Sequence, residues 1–193
     1  MNTTDRIIIG SDEVLKGDTF GGIVVAAVKA DAEIRKKLEV LGVKDSKQIT
    51  DKKIILMAKH IELMTQHCVK NVYPEQYNAH KGNVTELLNL LHRECYLALK
   101  PGVHIVDKFP GCTVGDIIET QAESKYIEVA AASILARAHA LRQFDELSKK
   151  AGFTVPLGST HVKDALQKLK DLKLPLKNFV KLKFKNVKEF FNL

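Results

Sequence analysis

The chain has 193 residues, 45% of them hydrophobic, with a formal net charge of +7. That length suits one domain, or a domain with a small appendage, with a sizeable core, and no apolar run approaches the ~20 residues needed to span a bilayer. Cys68, Cys95 and Cys112 are odd in number and form no CxxC pair, so neither a zinc site nor a disulfide framework is expected.

The polar start, Met1 to Arg6, lacks the apolar core of a signal peptide, and a cytoplasmic protein is expected. Residues 5–12 and 20–29 then read as a β-hairpin, because β-branched runs flank a Gly-containing turn. Adjacent strand residues point to opposite faces. Asp12 and Glu13 therefore share a site only if the strand ends or bends there, and Gly17 permits a bend. Acids and glycines are also ordinary turn residues with no chemistry attached.

Residues 31–40 read as a short helix ended by Gly42. Thr50 is placed to cap a helix over 51–65, with Ile54, Ile55, Ala58 and Ile61 on one face. Cys68 to Tyr73 reads as a third strand stopped by Pro74. Asn83 and Glu86 have capping-box spacing for the next helix, whose apolar stripe is Val84, Leu87, Leu88, Leu91, Cys95 and Ala98.

Val103 to Val106 forms a short strand ending in Asp107, and 117–120 forms another. Glu123 stands at the entrance of a long helix over 124–149, where the helix dipole alone favours a carboxylate. A helix follows over 161–172, with Val162, Ala165, Leu166 and Leu169 inward. Nine lysines between 163 and 188 face only Asp164, Asp171 and Glu189 in this basic C-terminal helical segment, residues 161–193. Such a run is either a phosphate-binding footprint or a solvated helix face. The interleaved Phe179, Phe184, Phe190 and Phe191 either touch nucleic acid or anchor the segment to a core.

Helix and strand in alternation after a hairpin indicate the α/β class, a central mixed β-sheet flanked by helices. Asp12, Glu13 and Asp107 fall near strand ends, where open α/β sheets carry their sites.

These stretches resemble the type 2 ribonucleases H, and ribonuclease HIII in particular. Gly10-Ser11-Asp12-Glu13-Val14-Leu15-Lys16-Gly17-Asp18 is similar to the family's opening motif, Asp-Glu-x-Gly-(Arg or Lys)-Gly. Asp45-Ser46-Lys47, Ile105-Val106-Asp107-Lys108-Phe109 and Ala122-Glu123-Ser124-Lys125-Tyr126 resemble later motifs. Lys181-Leu182-Lys183-Phe184 resembles a C-terminal motif that usually has His where Lys183 stands.

The resemblance implies an RNase H-like fold over residues 1–193 as a single catalytic domain. It implies an endonuclease that cuts the RNA strand of RNA/DNA hybrids with Mg²⁺ or Mn²⁺, two ions, leaving 3′-hydroxyl and 5′-phosphate ends. Asp12, Glu13, Asp107 and Glu123 are the implied catalytic and metal-binding residues. Lys16, Gly17, Ser46, Lys47, Lys163 and Lys183 are the implied substrate contacts. No protein partner or membrane is indicated, and a monomer is expected.

Two departures stand out. Leu15 replaces the first Gly of the opening turn, where a Cβ disfavours positive φ. The sequence also starts almost at the hairpin, so the N-terminal substrate-binding domain usual in ribonuclease HIII is expected to be missing. The alternatives are a catalytically weak nucleic-acid-binding module, or a ribonuclease HII-like enzyme that cuts at single embedded ribonucleotides.

Overall fold

Local rules place most elements of this computed structural model, which describes residues 6–43 and 49–193. Ser46 and Lys47, with the rest of the Asp45-Ser46-Lys47 segment, lie outside the described residues. Helix α1 (Ala32–Leu41) opens where Asp31 accepts a hydrogen bond from Ile34 N, and it closes at Gly42 with φ 76°. Helix α2 (Asp51–Met64) follows Thr50, whose side chain makes no cap; burial of Ile54, Met57, Ala58 and Ile61 holds the helix instead. Met57, not the expected Ile55, completes that buried face.

Strands β1 (Ile8–Val14), β2 (Ile23–Ala30), β3 (Gln66–Val72), β4 (Val103–Asp107) and β5 (Ile117–Glu119) form one sheet in the order β3-β2-β1-β4-β5. β1 runs antiparallel to β2 and parallel to β4, and β4 runs parallel to β5, so the sheet is mixed. β1 continues two residues past the expected end at 12. Asp12 pairs with Ala26 and Glu13 with Val25 inside the ladder.

Helix α3 (Pro74–Ala79) starts at the proline read as a strand stop. The missing N–H of proline is harmless in a helix's first turn. Helix α4 (Val84–Leu99) begins as read, with Asn83 accepting from Glu86 N. Its buried stripe is Leu87, Leu88, Leu91, His92, Cys95 and Leu99, while the expected Val84 and Ala98 are exposed. The long helix α5 (Ile127–Ala151) is preceded by a separate 3-10 turn, Ala122–Ser124. Glu123 therefore belongs to that turn and not to the long helix.

The chain divides into two compact units. The second is Leu15–Ile23, Asn71–Gly82 and His139–Leu193, and the remaining described residues make the first. In the first unit, Ile105 of β4, Ala122 and Val129 of α5 pack together. The second unit carries α6 (Lys163–Asp171) and α7 (Lys185–Phe191). There Phe20 bridges to Val180, and Lys181 N donates to Thr19 O, so the C-terminal segment is tied to the turn after β1. Among the described residues no helix is long and apolar enough to cross a membrane.

Candidate active site

The site begins with the alternation of β1. Gly10 and Asp12 face α5: a Cβ on Gly10 would lie 2.4 Å from Val129 N, and Ser133 hydrogen-bonds Asp12. Ser11 and Glu13 face α4: Ser11 Oγ lies 2.8 Å from His92 Nδ1, and Glu13 Oε2 lies 3.4 Å from His92 Nε2. Asp12 and Glu13 thus project to opposite faces of a strand that does not break between them, which corrects the expectation that they share a site only at a strand end or bend: both lie in the last three residues of β1, close enough for their charges to interact. They remain electrostatic neighbours, and Glu13 N donates to Asp12 Oδ1 at 2.7 Å.

Asp107 closes β4, whose neighbour is β1. Its Oδ1 accepts from Ala122 N at 2.8 Å, which fixes the 3-10 turn bearing Glu123 against the strand end. Glu123 is buried and shares a side-chain hydrogen bond with Asp107. All four implied carboxylates therefore belong to the first unit.

Their electrostatics are those of crowded like charges. Burial pushes the Asp12 carboxyl up to about 8, reinforced by the charges of Glu13 and Asp107 and opposed by the Ser133 hydrogen bond. Asp107 is raised by burial and by the charges of Glu123 and Glu13, against the Ala122 N–H. Carboxylates that raise one another's pKa need a proton or a cation between them. Oxygen-only donors suit hard cations such as Mg²⁺ and Mn²⁺. Among the described residues no three ligating side chains stand in ready coordination geometry. The donor chemistry nonetheless fits such ions, because a divalent charge would relieve the repulsion among all four acids.

The turn after β1 belongs to the second unit. Leu15 adopts φ 71°, the left-handed conformation expected to need glycine, and Gly17 is not among the positive-φ glycines. The bend is therefore made at Leu15 and not at Gly17. A left-handed non-glycine residue costs ~1–2 kcal/mol. Leu15 is 8% exposed, and burying a leucine side chain contributes ~1.5–3 kcal/mol. Burial thus outweighs the strain. Asp18 N donates to Leu15 O and closes the turn, leaving Lys16 and Gly17 exposed at its tip.

Lys163, exposed at the start of α6, lines a cleft of ≈ 330 Å³ with Ser159, Thr160 and Asn186. Lys183 is exposed, and its Nζ meets the carbonyls of Gly82 and His80 at 3.2 and 3.4 Å. Lys181, absent from the expected set, is fully buried: its Nζ donates to Asp18 O at 2.6 Å and lies over the rings of Phe184 and Tyr77.

Sequence reasoning also missed Ser11, His92, His104 and Ser133. His92 offered one signal, a polar residue inside the apolar stripe of α4. His104 Nε2 lies 2.9 Å from Ser11 Oγ, and burial, followed by the neighbouring His92, pushes its ring down to about 4.

Three comparisons bear on this arrangement. The family profile described as Ribonuclease HII matches residues 9–187. Ribonuclease HIII of Bacillus cereus (strain ATCC 10987 / NRS 248) is 38% identical over 215 positions, covering 96% of this chain and 68% of that protein. The crystal structure of Bst-RNase HIII in complex with Mn²⁺ superposes with a TM-score of 0.85 at 31% identity, covering 99% of this chain and 71% of that one. Aquifex aeolicus RNase H3 superposes with a TM-score of 0.77 at 27% identity, covering 93% and 72%.

Proposed function

The chain belongs to the ribonuclease HII family of ribonuclease H endonucleases, and from that premise we propose that it hydrolyses the RNA strand of RNA/DNA hybrids. Asp12, Glu13, Asp107 and Glu123 would hold two Mg²⁺ or Mn²⁺ ions, Glu13 and Asp107 serving departure of the leaving oxygen and Glu123 activation of the water. Bound there, such ions supply an activated water and stabilise the leaving oxygen, giving 3′-hydroxyl and 5′-phosphate ends. The observation that carries this reading is Asp12, a buried carboxyl crowded by Glu13 and Asp107.

The chain's own residues prepare the acids. Ser133 and Glu13 N hold the Asp12 carboxylate, and Ala122 N holds Asp107. Lys16 and Gly17, at the tip of the turn, would meet the hybrid backbone. Ser46, Lys47, Lys163 and Lys183 complete the proposed contacts. Lysine–phosphate contacts of this kind make affinity fall steeply with salt. The left-handed φ of Leu15 supports an enzyme over a weak binding module, because the turn keeps a backbone conformation open to glycine.

The test is cleavage of a hybrid labelled on its RNA strand, without metal and then with Mg²⁺ or Mn²⁺, beside Asp12→Asn. Metal-dependent cutting that the variant lacks is the expected result. Hybrid binding without cutting by either metal contradicts the proposal. A duplex with one embedded ribonucleotide, run in parallel, separates the HIII-like from the HII-like substrate range.

A further inference from the structure

Behind Glu13 lies a buried polar chain that the metal-centre reading does not use. His92 Nε2 approaches Glu13 Oε2 at 3.4 Å, His92 Nδ1 meets Ser11 Oγ at 2.8 Å, and Ser11 Oγ meets His104 Nε2 at 2.9 Å. Ser11 and His92 are 0% exposed and His104 is 2% exposed. Both rings are also stacked on aromatic neighbours. His92 stacks on Phe109 at 5.2 Å between centroids, and His104 stacks on Tyr96 at 4.8 Å. The backbone around His104 is held in addition, because its N donates to Asp116 Oδ2.

The proton order along this chain follows from the donor count. A serine hydroxyl has one hydrogen and a neutral imidazole has one N–H. Ser11 can donate to only one of its two ring neighbours, so the other ring must donate to Ser11. With both rings neutral, a Ser11 that donated to His104 would leave His92 donating from Nδ1 and turning a bare Nε2 toward a buried carboxylate. Two lone pairs would then oppose each other in a low-dielectric site, which is costly. The reverse order avoids that opposition: His104 Nε2–H donates to Ser11, Ser11 donates to His92 Nδ1, and His92 Nε2–H faces Glu13. A neutral His104 with its single proton on Nε2 fits this order.

We propose that His92 is a positioning residue for Glu13, presenting an Nε2–H to Oε2 in a tautomer set by Ser11 and His104. At 3.4 Å the N–H and carboxylate are close without forming a hydrogen bond, and His92 Nε2 makes no hydrogen bond to another group among the described residues. The donor is thus directed at the carboxylate alone. Its effect is to fix which oxygen of Glu13 remains available to a cation. This inference rests on the metal-centre reading of Glu13. Partners behind a ligand typically change metal affinity by ~10–100-fold.

Mn²⁺ binding, followed by calorimetry in the absence of nucleic acid, tests it. His92→Phe keeps a ring against Phe109 and removes the donor; its Mn²⁺ dissociation constant is expected to rise by about tenfold. His92→Gln places an amide N–H near the Nε2 position and restores affinity, whereas His92→Asn, which mimics Nδ1, does not. Asp12→Asn in the same titration guards the underlying reading. Weakened binding by Asp12→Asn beside unchanged binding by His92→Phe overturns the positioning role alone. Unchanged binding by Asp12→Asn overturns the metal-centre reading, and the inference falls with it. Should His92→Phe fail to fold, imidazole ¹⁵N shifts of the unaltered protein decide the matter: a hydrogen on His92 Nε2 is expected, and a bare Nε2 contradicts the proposal.

Discussion

Asp12 and Lys181 are both buried ionisable groups pushed toward neutrality, yet their surroundings differ in kind. Burial raises Asp12 to about 8 and lowers Lys181 to about 7. The charged neighbours named for Asp12 share its sign, so its anionic form is opposed by Glu13 and Asp107. Lys181 has acceptors and ring faces: the Asp18 carbonyl, the Phe20 carbonyl and the rings of Tyr77 and Phe184. The fold thus leaves Asp12 wanting a cation and supplies Lys181 with partners. A buried charge with like-signed neighbours points to function, and one with complementary neighbours points to structure.

The sharpest way to break this contrast is to exchange each group and watch which property changes. Asp12→Asn should lower hybrid cleavage by roughly 10²–10³-fold or more, while metal-free melting stays the same or rises, because a crowded charge has gone. A melting loss matching the activity loss would make Asp12 structural. Lys181→Ala should do the opposite. Its cavity and the stranded Asp18 carbonyl cost about 2–5 kcal/mol of stability, measured by urea unfolding.

The pH dependence of Lys181 sharpens the comparison further. Its folded pKa, about 7, lies below the ordinary 10.5. Between these values the unfolded chain binds the proton more strongly, so this group's contribution to stability rises with pH across that window and is flat below it. The slope approaches ~1.4 kcal/mol per pH unit. Lys181→Met, which keeps the volume and removes the amine, should flatten the rise. An unchanged slope would show that Lys181 is not its source.

The smallest expected effect belongs to Leu15→Gly. Relief of the left-handed strain partly offsets the lost burial, leaving a net loss of about 1 kcal/mol. A loss above about 3 kcal/mol would mean that Leu15 organises the turn beyond its own burial.

What the sequence disclosed follows from the range of the physics involved. The Gly42 cap and the Asn83–Glu86 cap are local, and both stand where they were read. The mixed sheet followed from the order of apolar runs. The four acids were legible because they sit in recognisable motifs, and the structure gathers them in one unit. Longer-range effects were hidden. His92 is explained by Ser11, 81 residues away, and no helical pattern foretells such a partner. Leu15 adopts a glycine-like φ because its side chain is buried, and propensity alone predicts the reverse. Pro74 was read as ending a strand when it also opens a helix. Glu123 stands ahead of the long helix as expected, but the separate 3-10 turn that carries it has no strong signature of its own, and the helix starts at Ile127 and not at 124.

The most direct test of the central claim is the melting temperature of the chain, and of Asp12→Asn, across pH 4 to 8 with and without Mn²⁺. The folded pKa of Asp12, about 8, lies above its ordinary 3.8. Its contribution to metal-free stability is therefore fully present below the ordinary value and is lost as pH rises toward 8. The account predicts that metal-free melting of the unaltered chain falls over this window relative to Asp12→Asn. It also predicts that Mn²⁺ restores stability increasingly with pH, and only where Asp12 is present. Parallel melting curves for the two proteins, with equal Mn²⁺ effects, would contradict the claim that this carboxylate is held for a cation.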